Sequence, residues 1–411
     1  MTKCRIGGDE LVELFSLGDL YVSNFLQDSE ASETFDKGEL TLAIGPKTGL
    51  VQLTNSIDFD TMYRRYWYNS GTNNSMTAEL RDIVDKMAHR VRWQSGDQWL
   101  DIGCNDGTLL SFVPDSMRRV GMDPSNSSAN AHTKADLIIP DYFNYEAIKD
   151  QGKFKFITAI AMFYDLERPL DFLSDIHEAL EDDGLFVVQM SYLPLMLEQL
   201  AFDNICHEHL TYYSLEILTV LFAAAGFTIV DCEINDTNGG SFRVYAQKTT
   251  AAVTSFGTAP FRDVARFRVH SILSYEVLLQ LKKPLTYKLF YDRLLSLRKD
   301  VIELIDNIKS EGKTIWGYGA STKGNTLLQY FGLDKTVIDG IAERQSIKFG
   351  LRTVGTEISI MSEHVMREAK PDYLLMLPWH FVYEFTQREQ AYLEGGGKFI
   401  VPCPTLEVIG K

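Results

Sequence analysis

Cysteine is scarce in this chain: five residues, at 4, 104, 206, 232 and 403, scattered and odd in number. No disulfide framework fits that pattern, and a reducing, cytoplasmic setting is expected. Long apolar runs are missing as well. No stretch of about 18 apolar residues occurs, so neither a transmembrane helix nor a membrane partner is expected. The opening Met1-Thr-Lys-Cys-Arg-Ile-Gly-Gly-Asp-Glu10 has no apolar core and does not read as a signal peptide. Positive charge is in deficit, with 40 Lys and Arg against 56 Asp and Glu, a net charge of −16. Nucleic acid, which needs a basic face, is excluded as an expected partner. A local basic pocket for a small phosphorylated substrate is still allowed. No internal repeat of fixed period is visible. What is present is an ordinary globular balance, 45% apolar and 23% charged, over 411 residues. That length exceeds a single core and predicts two or three domains.

The most informative stretch is Asp101-Ile-Gly-Cys-Asn-Asp-Gly107. It follows the apolar Trp99 and Leu100 and leads into Thr108-Leu-Leu110, a pattern of strand, tight turn and helix start. Glycines belong where a nucleotide-like ligand presses on the backbone, and a helix start offers free N–H groups. A second short strand ends at Asp123, placed to accept hydrogen bonds from a ribose diol. The spacing Gly103-x3-Gly107 differs from the Gly-x-Gly-x-x-Gly of dehydrogenases. With Asp101 at the end of the first strand, it points to S-adenosylmethionine rather than NAD.

Three regions follow from the pattern. Residues 1–75 are rich in turns and short β-like runs (40–44, 50–53) and close on the tyrosine-rich 63–68. Residues 76–250 begin with an amphipathic helix over 76–92, carrying Leu80, Ile83, Val84 and Met87 at helical spacing. Alternating strands and helices then predict a parallel sheet, with strands at 156–161, 185–188, 227–230 and 242–245. The last two, joined by a short loop, should pair antiparallel. Residues 251–411 open with a charged helical bridge over 256–312. They continue as a smaller α/β unit with strands at 314–318, 336–338 and 373–377.

Three clusters could carry chemistry. Cys206-His-Glu-His-Leu-Thr-Tyr-Tyr213 holds two of the eight histidines around a glutamate. It is not His-Glu-x-x-His, so zincin chemistry is disfavoured. An extended backbone would put His207 and His209 on one face and Glu208 on the other; a helix would part them. Either histidine could serve as a general base; a solvated polar turn is the competing interpretation. Tyr63, Tyr66 and Tyr68 could hydrogen-bond an enolate oxygen, or simply pack an interface. Gly317-Tyr-Gly-Ala-Ser-Thr-Lys-Gly-Asn325 reads as an anion cradle, or as an NAD turn with Asp339 or Glu343 as its ribose acid.

Together these stretches resemble the sugar C-methyltransferases of deoxysugar biosynthesis. The matching segments, in order, are 161–166, 207–210, 238–245, 317–325 and 377–380. The resemblance implies a small N-terminal domain, a class I (Rossmann-like) methyltransferase domain and a C-terminal Rossmann-like α/β domain. Its implied cofactor is S-adenosylmethionine, met by Asp101, Gly103, Asn105, Asp106, Gly107, Asp123, Ala161 and Met162. The substrate is a nucleotide-linked 4-keto-6-deoxyhexose, met by Ser321, Lys323, Asn325, Gly239, Gly240 and Arg243. His209 would take the proton from C3, leaving an enolate whose carbon attacks the sulfonium methyl. Glu208, His207 and Tyr68 or Tyr66 would hold the base and the 4-oxygen. O-methylation of a nucleotide sugar and NAD-dependent oxidoreduction are the alternatives, and the chain would be a monomer or homodimer.

Two positions depart from the family pattern. The family's two Cys-x-x-Cys pairs fall here on Cys4 and Gly7 and on Gly45-Pro-Lys-Thr48, so no zinc is expected. Cys206 stands where relatives carry tyrosine before His-Glu-His, which admits a different sugar or stereochemistry.

Overall fold

Seven strands form the central sheet of the computed structural model, which describes residues 2–58, 62, 67, 69–250 and 256–410. In chain order they are Gln98–Ile102, Arg118–Met122, Leu137–Ile139, Phe154–Ile160, Leu180–Ser191, Phe227–Asn235 and Ser241–Lys248. Numbered that way, they lie in the spatial order 3-2-1-4-5-7-6. The first five pair parallel and the last two antiparallel, as the short 236–240 loop requires. Parallel strands need both faces covered, and Trp99, Leu100, Phe156, Ile157, Val187 and Val188 are wholly buried. Trp99 keeps its indole N–H satisfied by donating to Thr158 Oγ1 at 3.1 Å.

The expected amphipathic helix runs Asn74–Arg90, capped by the Asn73 side chain, with Leu80, Ile83, Val84 and Met87 buried. The charged bridge is two helices, Ala259–Leu279 and Pro284–Ser310, the second burying Tyr287, Phe290, Leu294, Leu297 and Val301. Among the described residues no helix is long and apolar enough to cross a membrane.

The C-terminal sheet contains, in chain order, Ile315–Tyr318, Ile341–Glu343, Ile360–Ser362, Tyr373–Met376, Lys398–Val401 and Glu407–Ile409. Its spatial order is 3-2-1-4-5-6, the order of dinucleotide-binding folds, although the last strand is antiparallel. One expected strand is corrected: 336–338 is a turn. The Asp334 side chain accepts Thr336 N–H at 2.8 Å, and Val337 and Ile338 donate to Asp334 O. That local capping outweighs β-branched propensity, and the strand begins only at Ile341.

The strands Val12–Tyr21, Lys37–Ile44 and Val51–Leu53 form an antiparallel sheet completed by Thr211–Tyr212 from far along the chain. At its edge Cys4 is buried, its Sγ 3.2 Å from Thr48 Oγ1. A Cβ built on Gly45 would lie 2.8 Å from that sulfur. The positions of the family's thiolates therefore still converge. Among the described residues, no group of three or more His, Cys, Asp or Glu could hold a metal.

Candidate active site

The strand Gln98–Ile102 delivers its C-terminal end into a cleft of about 460 Å³ between the central and C-terminal sheets. There the chain reverses through Gly103, Asn105 and Gly107, all in the left-handed region with φ of +71°, +50° and +73°. A Cβ on Gly103 would stand 3.3 Å from Met162 Cγ, filling the cradle between turn and floor. Asp123 ends the neighbouring strand and ties the turn to it. One oxygen accepts Asn105 N–H at 2.8 Å, and the other accepts the Ser125 N–H at 2.8 Å and hydroxyl at 2.5 Å. Asp101 accepts the Thr158 hydroxyl at 2.7 Å. Burial pushes its carboxyl up to about 7, and the charge of Asp123 adds to the shift.

The helix expected behind this turn is not formed; a 3-10 turn, Leu110–Phe112, stands in its place. Thr108 Oγ1 donates to Asp106 at 2.6 Å and Ser111 Oγ to Thr108 O at 2.7 Å, local bonds that compete with helix. Pro114 follows at once. Backbone donors here come from the turn itself. Asp106 and Gly107 shape it without lining the cleft. Asp106 accepts Gly71 N–H at 3.1 Å, and a Cβ on Gly107 would meet Ala131 at 2.8 Å.

Across the cleft floor, Ala161 and Met162 follow the strand Phe154–Ile160, with Ala161 at φ +55°. Beside them lies His209, at the end of a turn rather than on a strand or helix. This turn feeds straight into Thr211–Tyr212, and Leu53 N–H donates to Leu210 O at 2.9 Å, so the N-terminal sheet anchors it. His209 Nδ1 lies 2.8 Å from Asn204 O. A carbonyl only accepts, so Nδ1 carries the proton and Nε2 keeps its lone pair. The Tyr164 ring packs on the imidazole with centroids 4.2 Å apart. Burial, helped by the charge of Lys323, lowers the His209 pKa to about 3. The ring is neutral at any physiological pH.

Glu208 also lines the cleft. Burial raises its pKa, opposed by hydrogen bonds from its own backbone and from the Cys206 thiol. The expected pairing of His207 with His209 is corrected. His207 turns away, its Nε2 3.0 Å from Gly38 O, and does not reach the cleft. Tyr66 and Tyr68, with Tyr63, lie outside the described residues.

From the other wall come Gly319, Ser321 and Lys323. Ser321 caps the helix Thr322–Phe331, accepting Gly324 N–H at 3.0 Å. Lys323 Nζ donates to Asn238 O at 3.3 Å, and burial lowers its pKa. Four expected substrate contacts are corrected. Gly239 and Gly240 pack against Trp379 and Leu195, leaving Asn238 as their cleft-facing neighbour. Asn325 turns to Asn24 O at 3.0 Å. Arg243 is 1% exposed and committed to Glu79 at 2.6 Å, Asp82 at 2.9 Å and Gln189 at 2.7 Å. A buried guanidinium so paired has no reach into the cleft.

Several cleft residues carried no signal in sequence spacing: Tyr164, Lys348, His380 and Arg388. Tyr164 and His380 stood only within the matched segments 161–166 and 377–380; burial and the Lys323 charge lower the His380 pKa to about 3.

The sheet order, the left-handed turn and the acids at its strand ends define a class I S-adenosylmethionine-dependent methyltransferase. Residues 73–231 match the description "Methyltransferase domain" and residues 236–404 "C-methyltransferase C-terminal domain". The C-methyltransferase NovU of Streptomyces niveus is 30% identical over 415 aligned residues, 99% of this chain and 96% of that protein. A sphingolipid C9-methyltransferase of Candida albicans is 28% identical over 160 residues, 33% of this chain and 31% of that protein. Among solved structures, the cyclopropane synthase MmaA2 of Mycobacterium tuberculosis overlaps 41% of this chain and 68% of its own, with 17% identity and a TM-score of 0.33. The chain therefore belongs to the C-methyltransferase family that its motifs indicated, and S-adenosylmethionine is its cofactor. The Gly103 cradle and the carboxylates of Asp101 and Asp123 fit that group.

Proposed function

We propose that this enzyme methylates C3 of a nucleotide-linked 4-keto-6-deoxyhexose, with His209 as the base. The supporting observation is the tautomer of His209. With Nδ1–H given to Asn204 O, the free Nε2 belongs to a ring that lines the cleft between the two glycine turns. The cofactor, when bound, supplies an electrophilic methyl carbon.

The C3–H bond beside the ketone breaks as Nε2 takes the proton, and its electron pair moves onto C3 and the 4-oxygen. The Asn204 carbonyl holds the ring through this step and steadies the imidazolium that forms. Tyr164 fixes the ring plane. Glu208 supports the same turn from within, and Ser321 and Lys323 meet the substrate from the C-terminal wall. The Lys323 charge acts in two opposed ways: it disfavours the imidazolium and favours the enolate oxygen.

Deuterium exchange tests the carbon target. The enzyme with S-adenosylhomocysteine in D2O should wash deuterium into C3 of a 4-keto nucleotide sugar, and His209→Ala should slow this by about 10²–10⁴-fold. Methyl transfer without exchange or a C3 isotope effect would point to an oxygen acceptor instead.

A further inference from the structure

Two buried carboxylates serve the C-terminal wall of the cleft, and only one has its partners. Glu343, 7% exposed, is fully engaged. Its Oε2 accepts Ala320 N–H at 2.8 Å beside Lys348 Nζ at 3.8 Å, and its Oε1 accepts the N–H of Arg344 at 2.7 Å and of Gln345 at 2.8 Å. Asp203, 1% exposed, is not. Its Oδ2 accepts the Trp379 indole N–H at 3.2 Å, but its buried Oδ1 has no hydrogen-bond partner among the described residues. A buried carboxylate short of partners is penalised unless a cation offsets it.

Lys323 is the cation that faces it. Its charge comes first among the influences opposing burial at Asp203, ahead of the Trp379 bond and the N–H of Asp203 itself. Asp203 in turn comes first, before Cys206, among those opposing burial at Lys323. The other groups that feel the lysine carry no negative charge: His209 and His380 are neutral, and burial keeps the Cys206 thiol protonated. Lys323 lines the cleft and Asp203 does not. The hydrogen bond from Lys323 to Asn238 O is long, at 3.3 Å.

Asp203 also lies one residue before Asn204, whose carbonyl accepts the His209 Nδ1–H, in the 3-10 turn Phe202–Asn204. That turn is pinned from both sides. Asn204 accepts the Ser191 hydroxyl at 3.1 Å and donates to Ala201 O at 3.0 Å, while Trp379 reaches Asp203 from the C-terminal unit. One turn thus sets the base and faces the cation.

We propose that Asp203 is a positioning residue, the buried counter-ion that keeps Lys323 charged and aimed at the oxyanion developing on the substrate. It acts through Lys323 and touches neither substrate nor cofactor. The proposal rests on the enolate reaction proposed above and adds the residue that prepares its cation.

The test is a double-mutant cycle on the full chain: wild type, Asp203→Asn, Lys323→Met and the two combined. Asparagine keeps an acceptor for Trp379 and removes the charge. With S-adenosylhomocysteine and a saturating 4-keto nucleotide sugar in D2O, Lys323→Met should slow C3 washout by about 10²–10³-fold, and Asp203→Asn by about tenfold or more. Added to Lys323→Met, Asp203→Asn should cost nothing further. Without its counter-ion Lys323 loses its proton more easily, so the fall in rate on the basic side should move down by about one pH unit or more in Asp203→Asn. S-adenosylhomocysteine affinity should not change. A second cycle reads stability and needs no substrate. Lys323→Met strands the Asp203 charge and should lower the urea midpoint, and Asp203→Asn should then raise it again. Losses that multiply in the rate cycle and add in the stability cycle would overturn the inference, as would wild-type washout and pH profile in Asp203→Asn. If the wild type transfers methyl without washout, the carbon reaction fails, and the stability cycle still decides whether Asp203 and Lys323 are paired.

Discussion

At the first glycine turn the cleft is walled by Asp101, Asp123, Asp141 and Asp165; at the second, Lys323, Arg344, Lys348 and Arg388 stand beside Glu343 and Glu363. Both turns follow the first strand of a parallel sheet, and a carboxylate from the second strand ties each one down. They differ in what lies behind. The first is backed by a 3-10 turn and excess negative charge, the second by the N-terminus of a ten-residue helix and added cations. The same backbone device thus suits opposite ligands: a cofactor carrying a sulfonium and an ammonium, and the phosphates of the proposed substrate. His209, the proposed base, lies on a turn anchored by a third unit.

The largest expected effect is a crossed pair of substitutions. Asp123→Ala removes the acid that holds Asn105 and Ser125, and with it charge-assisted hydrogen bonds of about 1.5–3 kcal/mol each. S-adenosylhomocysteine affinity should fall about a hundredfold or more, with nucleotide affinity nearly constant. Lys323→Met should do the reverse. Titration of both ligands against both variants checks this. If either variant weakens both ligands equally, the turns act as one coupled unit rather than two sites.

A smaller effect comes from Asp101. Its folded pKa is raised from the ordinary 3.8 to about 7, so the fold favours its protonated form. This carboxyl therefore makes the protein less stable as pH rises from about 4 toward 7. A cationic ligand beside Asp101 reverses the preference and expels the proton. Cofactor affinity should rise up to tenfold per unit as pH climbs through about 5.5–7 and then level off. Calorimetry in buffers of different ionisation enthalpy would record the released proton. In Asp101→Asn the pH dependence should vanish; its persistence would move the titration elsewhere. His209, with a pKa near 3, is neutral throughout this window.

Much of this contrast was legible before any coordinates. Short-range signals carried it: glycines at left-handed turns, acids at strand ends, and an apolar period of two or 3.6. What spacing cannot show is which partner a polar side chain takes across the fold. Arg243 looks like a substrate ligand until Glu79 and Asp82, on a helix about 160 residues earlier, are seen to claim it. His207 and His209 look like a pair until Gly38 and Asn204 draw them apart. The helix expected to start at 108–110 and the strand over 336–338 failed for a shared reason: Asp106, Ser111 and Asp334 give the backbone a local hydrogen bond that regular structure cannot match. Lys348 and His380 approach the cleft from three-residue 3-10 turns, too short to show a period.

The smallest effect concerns strain, and it separates the two walls once more. The second turn places glycine where φ is +83°, at Gly319, whereas the cofactor floor holds a left-handed alanine at φ +55°, Ala161. Its backbone is held there by Ala161 N–H donating to Gln189 O at 2.7 Å. A non-glycine residue in that region costs about 1–2 kcal/mol, and glycine recovers this but adds about 0.5–1 kcal/mol of unfolded-state entropy. Ala161→Gly should therefore stabilise the fold by roughly 0.5–1 kcal/mol, read as a higher urea midpoint with unchanged slope. Because the lost methyl faces the cleft, S-adenosylhomocysteine affinity should fall a few-fold at the same time. A variant that loses stability would show that the left-handed backbone at 161 is comfortable. The alanine would then be there for packing alone, and the asymmetry between the two walls would lie in charge and not in strain.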